Sequence, residues 1–267
     1  IPGSRTLLEG ESGGGKTHSL RTWVTDCNLE LFVLFTEPAQ AMISDLPNTH
    51  YAFVAPDKHK EGQTWKHLTE LGNMISSMGA ETIKKSSLGV RQKQYFSFIN
   101  LLNDFVCDCH GTSFGPVESW GTNRAFAIDG LTDLAFFVRA CHVGSKPIMT
   151  WPEYDVAMST IRVTLKSLVE NLYCHFVLIS HLEREVDKNT GTIRRMPSAL
   201  GNKLGPDIPP MFHDAIVPER IGKEFVWNSA SNDVIGRTLY LLPDTKLKPT
   251  FKGVLDAWLA KGGVIEA

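Results

Sequence analysis

The residues Gly10-Glu11-Ser12-Gly13-Gly14-Gly15-Lys16-Thr17 set a lysine and a hydroxyl directly behind a run of glycines. This spacing, G-x-x-x-x-G-K-[ST], suits one kind of chemistry, the wrapping of a polyphosphate. Backbone N–H groups of the loop must converge on phosphate oxygens, so Cβ atoms are unwelcome at its tight positions. Lys16 supplies a mobile positive charge to the outer phosphates, and Thr17 offers its hydroxyl to Mg²⁺. A helix beginning behind the loop adds partial positive charge at its N-terminus. The nucleotide-binding set read from the motif is Gly10, Ser12, Gly13, Gly14, Gly15, Lys16, Thr17 and His18.

Three further polar residues close apolar runs. Asp129 ends Arg124 to Asp129 (RAFAID) and is followed by Gly130; a carboxylate there can hold the water shell of Mg²⁺ beside Thr17. Asp133 is a weaker candidate, because it falls in the helix expected to follow. Glu37 follows ELFVLFT, and His181 follows FVLIS. Cys107, Cys109 and His110 are spaced closely enough for a metal. No second ligand cluster in the sequence closes a tetrahedral site, so all five cysteines read as reduced thiols.

The elements that must position these groups follow from periodicity. Arg5 to Glu9, Glu30 to Thr36, Thr49 to Ala55, Arg124 to Asp129 and Cys174 to Ser180 read as strands, and the continuous apolar run of Glu30 to Thr36 (ELFVLFT) suits a parallel strand covered on both faces. Helices are expected from Lys16 to about Asp26, near Trp65 to Met78, from about Gln92 to Cys109, from Tyr154 to Leu172 and from Phe251 to Lys261. Phe96, Ile99, Leu102 and Val106 mark the expected buried face of the third. Ala215 to Pro218, Glu224 to Ser229 and Arg237 to Leu242 read as terminal strands, and Glu183 to Gly205 as a polar loop without period. Strands alternating with helices imply an α/β fold, a mostly parallel sheet flanked by helices with antiparallel strands near the C-terminus. One domain spanning 1–267 is expected, with a helical insertion at about 57–90.

The motifs GESGGGKT, IDGLTDL, ISH and LGNKLGPDIPPMF, in that order, resemble the RecA-type P-loop ATPases. Among these the chain looks like the phage-encoded ATP-binding proteins related to minimal single-strand-annealing recombinases. The resemblance implies a RecA-like core that hydrolyses ATP with Mg²⁺. It implies that Glu37 polarises the attacking water and that His181 senses the γ-phosphate, where glutamine is common. It also implies DNA contact through two loops, at about Ala140 to Tyr154 and Glu183 to Leu204. The second carries Arg184, Lys188, Arg194, Arg195 and Lys203; the first offers Trp151, which could stack on a base. Gly191, Gly201 and Gly205 are expected to let backbone approach phosphates. Arg237 is expected to act in trans on a neighbouring subunit's ATP, with Lys246 and Lys248 as rivals, so a homo-oligomer is implied. The function implied is recombination or replication on single-stranded DNA. Helicase or helicase loader is the alternative, and a small-molecule kinase on the same loop is a more distant one.

The bulk properties set limits. The 267 residues carry 42 % hydrophobic and 21 % charged side chains, an ordinary globular balance. The formal net charge of −2 excludes nucleic-acid binding by a uniformly basic surface, so any such contact must be a local patch or a sum over subunits. No apolar run approaches the roughly 18 residues that cross a membrane. The expectation is a cytoplasmic protein, in an infected bacterial host if phage-encoded.

Overall fold

The computed structural model describes residues 1–55, 64–78, 93–144, 149–186, 191, 193–201, 203–230, 234, 237–243 and 246–266. Its strands are β1 (Arg5–Gly10), β2 (Glu30–Phe35), β3 (Thr49–Phe53), β4 (Arg124–Asp129), β5 (His175–Val186), β6 (Ile193–Pro197), β7 (Asp214–Ile221) and β8 (Glu224–Asn228). Its α-helices are α1 (Lys16–Ser19), α2 (Thr22–Thr25), α3 (Thr64–Ser77), α4 (Gln94–Asn103), α5 (Leu131–Val143), α6 (Trp151–Asn171) and α7 (Lys252–Ala260). Helix α3 falls within the expected insertion, most of which lies outside the described residues.

The strands form one sheet in the order β3-β2-β4-β5-β1-β7-β8, with β6 paired to β5. Neighbours from β3 to β7 are parallel, whereas β7–β8 and β5–β6 are antiparallel. The apolar runs explain the layering, because successive strand residues face opposite sides. Leu7, Phe32, Leu34, Phe126, Ile128, Phe176 and Leu178 join the core under α4, α5 and α6. Leu8, Leu31, Val33, Ala125, Ala127, Val177 and Ile179 join the opposite core with Leu20, Trp23 and Trp258. Strands β1, β2, β4 and β5 thus feed two cores, and helices cover both faces.

Several boundaries differ from expectation for local reasons. The helix behind the glycine loop is split into α1 and α2. Ser19 Oγ bonds Lys16 O and Thr22 Oγ1 bonds Ser19 O, side-chain bonds that compete with a continuous helical ladder. Helix α4 stops at Asn103, because Asp104 is extended and the chain turns back through a Val106–Ser113 bridge. Its buried aromatic is Phe98; Phe96 is mostly exposed, and Val106 lies beyond the helix. Helix α6 starts earlier than read, at a capping box formed by Thr150 and Glu153 with a proline in the first turn. The segment from Arg237 to Leu242 is not a strand. Asp214 Oδ1 accepts the successive N–H groups of Leu239, Tyr240 and Leu241 at 3.0, 3.2 and 3.1 Å, which curls the backbone round one carboxylate. The five cysteines are not all thiols either: Cys107 and Cys109 form a disulfide, while Cys27, Cys141 and Cys174 are buried thiols.

Candidate nucleotide site

Parallel strands deliver their carboxyl ends to one edge of the sheet, and the register aligns those ends. Gly10 of β1 pairs with His181 of β5, while Asp129 of β4 pairs with Phe35 on one side and Ile179 on the other. Strand β5 therefore separates the glycine-loop strand from the aspartate strand and places His181 between them.

The glycines are required by geometry. Gly13 and Gly15 have φ of 79° and 82°, a region L side chains rarely adopt. A Cβ on Gly14 would lie 2.9 Å from Pro218 O of β7, so the loop is seated directly on that strand. Lys16 folds back over the loop, its Nζ donating to Gly10 O at 2.8 Å and Glu11 O at 2.9 Å. Burial pushes its pKa below the ordinary lysine value, opposed by the charges of Asp129 and Glu37. Thr17 Oγ1 donates to Asp129 Oδ2 at 2.7 Å. Burial lifts the Asp129 carboxyl to about 6; the Thr17 bond and the charges of Lys16 and His181 oppose the rise, and Glu37 adds to it. Glu37 and His181 face each other, with Oε1 and Nε2 3.5 Å apart, and each side chain is more than one-third exposed.

Ser12, Gly13, Gly14, Gly15, Lys16, Thr17, His18, Glu37, Asp129 and His181 all line one cavity of about 470 Å³. The sequence-read phosphate, metal and catalytic groups are thus brought together, with two exceptions. Gly10 ends β1 and touches the site through its carbonyl, which holds Lys16. Arg237 lies outside the cavity of its own chain, where its guanidinium donates to Pro210 O. Its rivals lie near the β8 edge: Lys246 N donates to Asn228 Oδ1, and Leu247, just before Lys248, pairs with Trp227.

Sequence reasoning missed three cavity residues, Ala39, Met42 and Phe225. Phe225 comes from β8, and its ring lies where a Cβ on Gly15 would meet it at 3.1 Å. No local pattern flags it, because only the β7–β8 pairing carries it to the loop. Glu9 was also missed as a chemical group. It is fully buried in β1, neither carboxylate oxygen has a hydrogen-bond partner, and burial lifts it to about 8 against the opposing charge of Arg195.

The expected polar loop from Glu183 is a hairpin. Strand β5 runs on to Val186 and pairs with β6, Arg184 opposite Arg195 and Glu185 opposite Arg194. Arg184 is bonded to Glu11 of the glycine loop at 2.5 Å, and Arg195 pairs with Glu219 at 3.7 Å. Two of the expected DNA contacts therefore serve the base of the hairpin. Arg194 and Lys203 are exposed, and Lys188 lies outside the described residues. A Cβ on Gly201 would collide with the Tyr154 hydroxyl, and one on Gly205 would meet Met196 and Pro197, so packing alone requires glycine at both positions. Trp151 is 75 % exposed. Together with Met149, Thr150, Tyr154 and Lys203 it lines a separate cavity of about 410 Å³, where the two loops read as DNA-facing meet.

The donor set fits the expected ligands. A threonine hydroxyl beside a buried carboxylate is a hard-oxygen pair of the kind Mg²⁺ takes through its waters. A lysine over positive-φ glycines fits a triphosphate. No protein-family profile and no curated protein sequence matches this chain. Among solved structures it is similar to the assembled ATPase EscN from the enteropathogenic E. coli type III secretion system. The identity is 12 % and the TM-score 0.37, over 81 % of this chain and 43 % of that one. It is similar to a prototypical ATPase from the type III secretion system of pathogenic bacteria, at 13 % identity and TM-score 0.37, over 82 % of this chain and 52 % of that one. It is also similar to the RadB recombinase, at 11 % identity and TM-score 0.33, over 87 % and 83 %. The chain spans about half the length of the two secretion ATPases. Likeness at this level says nothing of activity.

Proposed function

We propose that the protein is an Mg²⁺-dependent ATPase that binds single-stranded DNA and works as a homo-oligomer in recombination or replication. The observation that carries the ATPase reading is the convergence of Lys16, Thr17, Asp129, Glu37 and His181 on one cavity at the carboxyl edge of the sheet. Each has a task in phosphoryl transfer, where catalysis is mostly positioning and charge stabilisation. Lys16 leaves its loop carbonyls for the outer phosphates. Asp129 and Thr17, now bonded to each other, would hold Mg²⁺ through its waters, and the bound ion would supply charge neutralisation for the phosphates. Glu37 orients the attacking water, and His181 holds both Glu37 and the terminal phosphate. The Phe225 ring supplies an apolar wall against Gly15. The DNA reading is supported by the exposed Trp151 beside Lys203 in one cavity, a stacking ring next to a phosphate partner.

The test is hydrolysis of ATP by the purified protein with Mg²⁺, with and without single-stranded DNA. Wild type turns over and is stimulated by DNA, while Lys16→Ala, with unchanged circular dichroism, is inactive. Equal turnover by wild type and Lys16→Ala overturns the assignment, and wild-type turnover indifferent to DNA removes the DNA half of it.

A further inference from the structure

We propose that His50, Cys107, Cys109 and His110 form a tetrahedral zinc site when the two cysteines are in the dithiol form. One ligand atom from each of the four residues lies within 4.8 Å of all the others. That spread suits the ion: thiolates about 2.3 Å and imidazole nitrogens about 2.0 Å from zinc leave the ligand atoms roughly 3–4 Å apart at tetrahedral angles. Cys109 Sγ and Cys107 Sγ already lie 3.0 and 4.0 Å from His110 Nδ1. The fourth ligand comes from far away in sequence, which is why no spacing rule reveals it.

The surroundings are those of a built metal site. His50 meets Glu30 Oε1 through Nε2 at 3.2 Å, and Arg124 Nε holds the other oxygen of Glu30 at 2.7 Å. His50 Nδ1 is buried and has no hydrogen-bond partner among the described residues. A carboxylate fixing one ring nitrogen while the other stands free is the arrangement that orients a metal-bound imidazole. The ring is stacked on Phe32 at 4.9 Å and lies against Phe114 at 4.3 Å, so its direction is set by packing. The cysteines sit on a tight turn closed by Gly111 N bonding Cys107 O at 2.8 Å and by Cys107 N bonding Thr112 O at 2.9 Å. Gly111, with φ 67°, is the residue that allows the turn. This turn docks on the outermost strand: Asp108 N donates to Tyr51 O at 2.8 Å, and Phe53 N donates to Asp108 Oδ2 at 2.7 Å. Zinc there would reinforce the docking of this turn on β3, the edge strand of the sheet.

The disulfide and the zinc site are alternative states of the same sulfurs. A trialkylphosphine converts one to the other: disulfide, phosphine and water give two thiols and the phosphine oxide. Zinc then displaces the two thiol protons and binds two thiolates and two neutral imidazoles. The experiment measures zinc per chain by mass spectrometry after phosphine reduction, zinc loading and dialysis, with zinc-edge X-ray absorption on the same sample. About one zinc per chain with two sulfur and two nitrogen neighbours is expected, and none on the oxidised protein. His110 is exposed, so His110→Ala leaves the core untouched; it should weaken zinc affinity at least tenfold in a chelator competition. Glu30→Gln should weaken it by roughly 10–100-fold through the imidazole it orients. No retained zinc on the reduced wild type overturns the proposal. So does a zinc environment without sulfur, equal zinc on the oxidised protein, or undiminished affinity in His110→Ala.

Discussion

Asp129 lies at the centre of a conflict between stability and activity. Its carboxyl is raised to about 6, so its contribution to stability is fully present below the unfolded value of 3.8 and is lost as pH rises through about 6. Two units correspond to about 3 kcal/mol against the ligand-free protein at alkaline pH. Asp129→Asn keeps an acceptor for Thr17 and removes that charge. Calorimetry at about pH 8, without nucleotide or divalent metal, should show the variant melting several degrees higher than wild type, and hydrolysis should vanish. A lower melting temperature in the variant at both pH 5 and pH 8 would show that the carboxylate is not strained by burial. Glu37 makes a separate demand. Glu37→Gln should retain ATP binding and lose about 10²-fold or more in turnover, on the scale of positioned acid–base groups, in a steady-state assay; a loss under twofold would make its pairing with His181 merely structural. Both residues were legible in the sequence because each ends an apolar run, and chain chemistry at strand ends is local. Phe225 was not, because its neighbour Gly15 is 210 residues away and no short pattern encodes that contact.

At the scale of elements, β1 carries more than the loop it leads into. Glu9 is raised to about 8, far above the ordinary 4.5, and is held neutral near pH 7. Its folded pKa exceeds the unfolded one, so the stability it contributes is present at low pH and lost as pH climbs toward and through about 8. The slope is about 1.4 kcal/mol per pH unit between about pH 5.5 and pH 7 and falls to about half of that at about pH 8. Glu9→Gln is close in shape to the protonated acid and should flatten that slope in urea titrations; an unchanged slope would place the loss on another group. The hairpin of β5 and β6 makes the other prediction. Arg194 is exposed and free to meet phosphate, whereas Arg195 is tied to Glu219. Arg194→Ala should reduce the salt dependence of DNA binding by about one unit of slope, measured by fluorescence anisotropy. An identical slope would exclude Arg194 as a phosphate contact. The core of the sheet was readable because β2, β4 and the first half of β5 carry near-continuous apolar runs. The hairpin was not, because Glu183 to Val186 and Ile193 to Pro197 are mixed in polarity, and their pairing rests on register rather than on an apolar face. The split between α1 and α2 was hidden for a related reason: serine and threonine bonding to backbone does not alter hydrophobic spacing.

For the whole molecule, no arginine among the described residues lines the cavity that holds Lys16 and Asp129, and Arg237 stands outside it with its guanidinium on Pro210 O. If neighbouring copies complete one another, mixing Arg237→Ala with Lys16→Ala should restore part of the hydrolysis that each lacks alone. A mixed interface then regains an intact glycine loop facing an intact arginine, an effect worth about 10³-fold when such a group is well placed. A co-assembled mixture as inactive as its parents would assign Arg237 to its own chain. Strand β5 bears on the same assembly. Its 12 residues span about 40 Å at roughly 3.3 Å each, from the buried sheet to the exposed hairpin, without a break in the backbone ladder. Residues three apart along it, on opposite faces, meet Glu37 through His181 and Glu11 through Arg184. A stiff strand tied to the nucleotide cavity at His181 and to the glycine loop at Glu11 would act as a lever whose fulcrum is the sheet. A tilt of a few degrees when phosphate enters or leaves would swing the far tip by an ångström or so, which converts the state of one bond into a stroke.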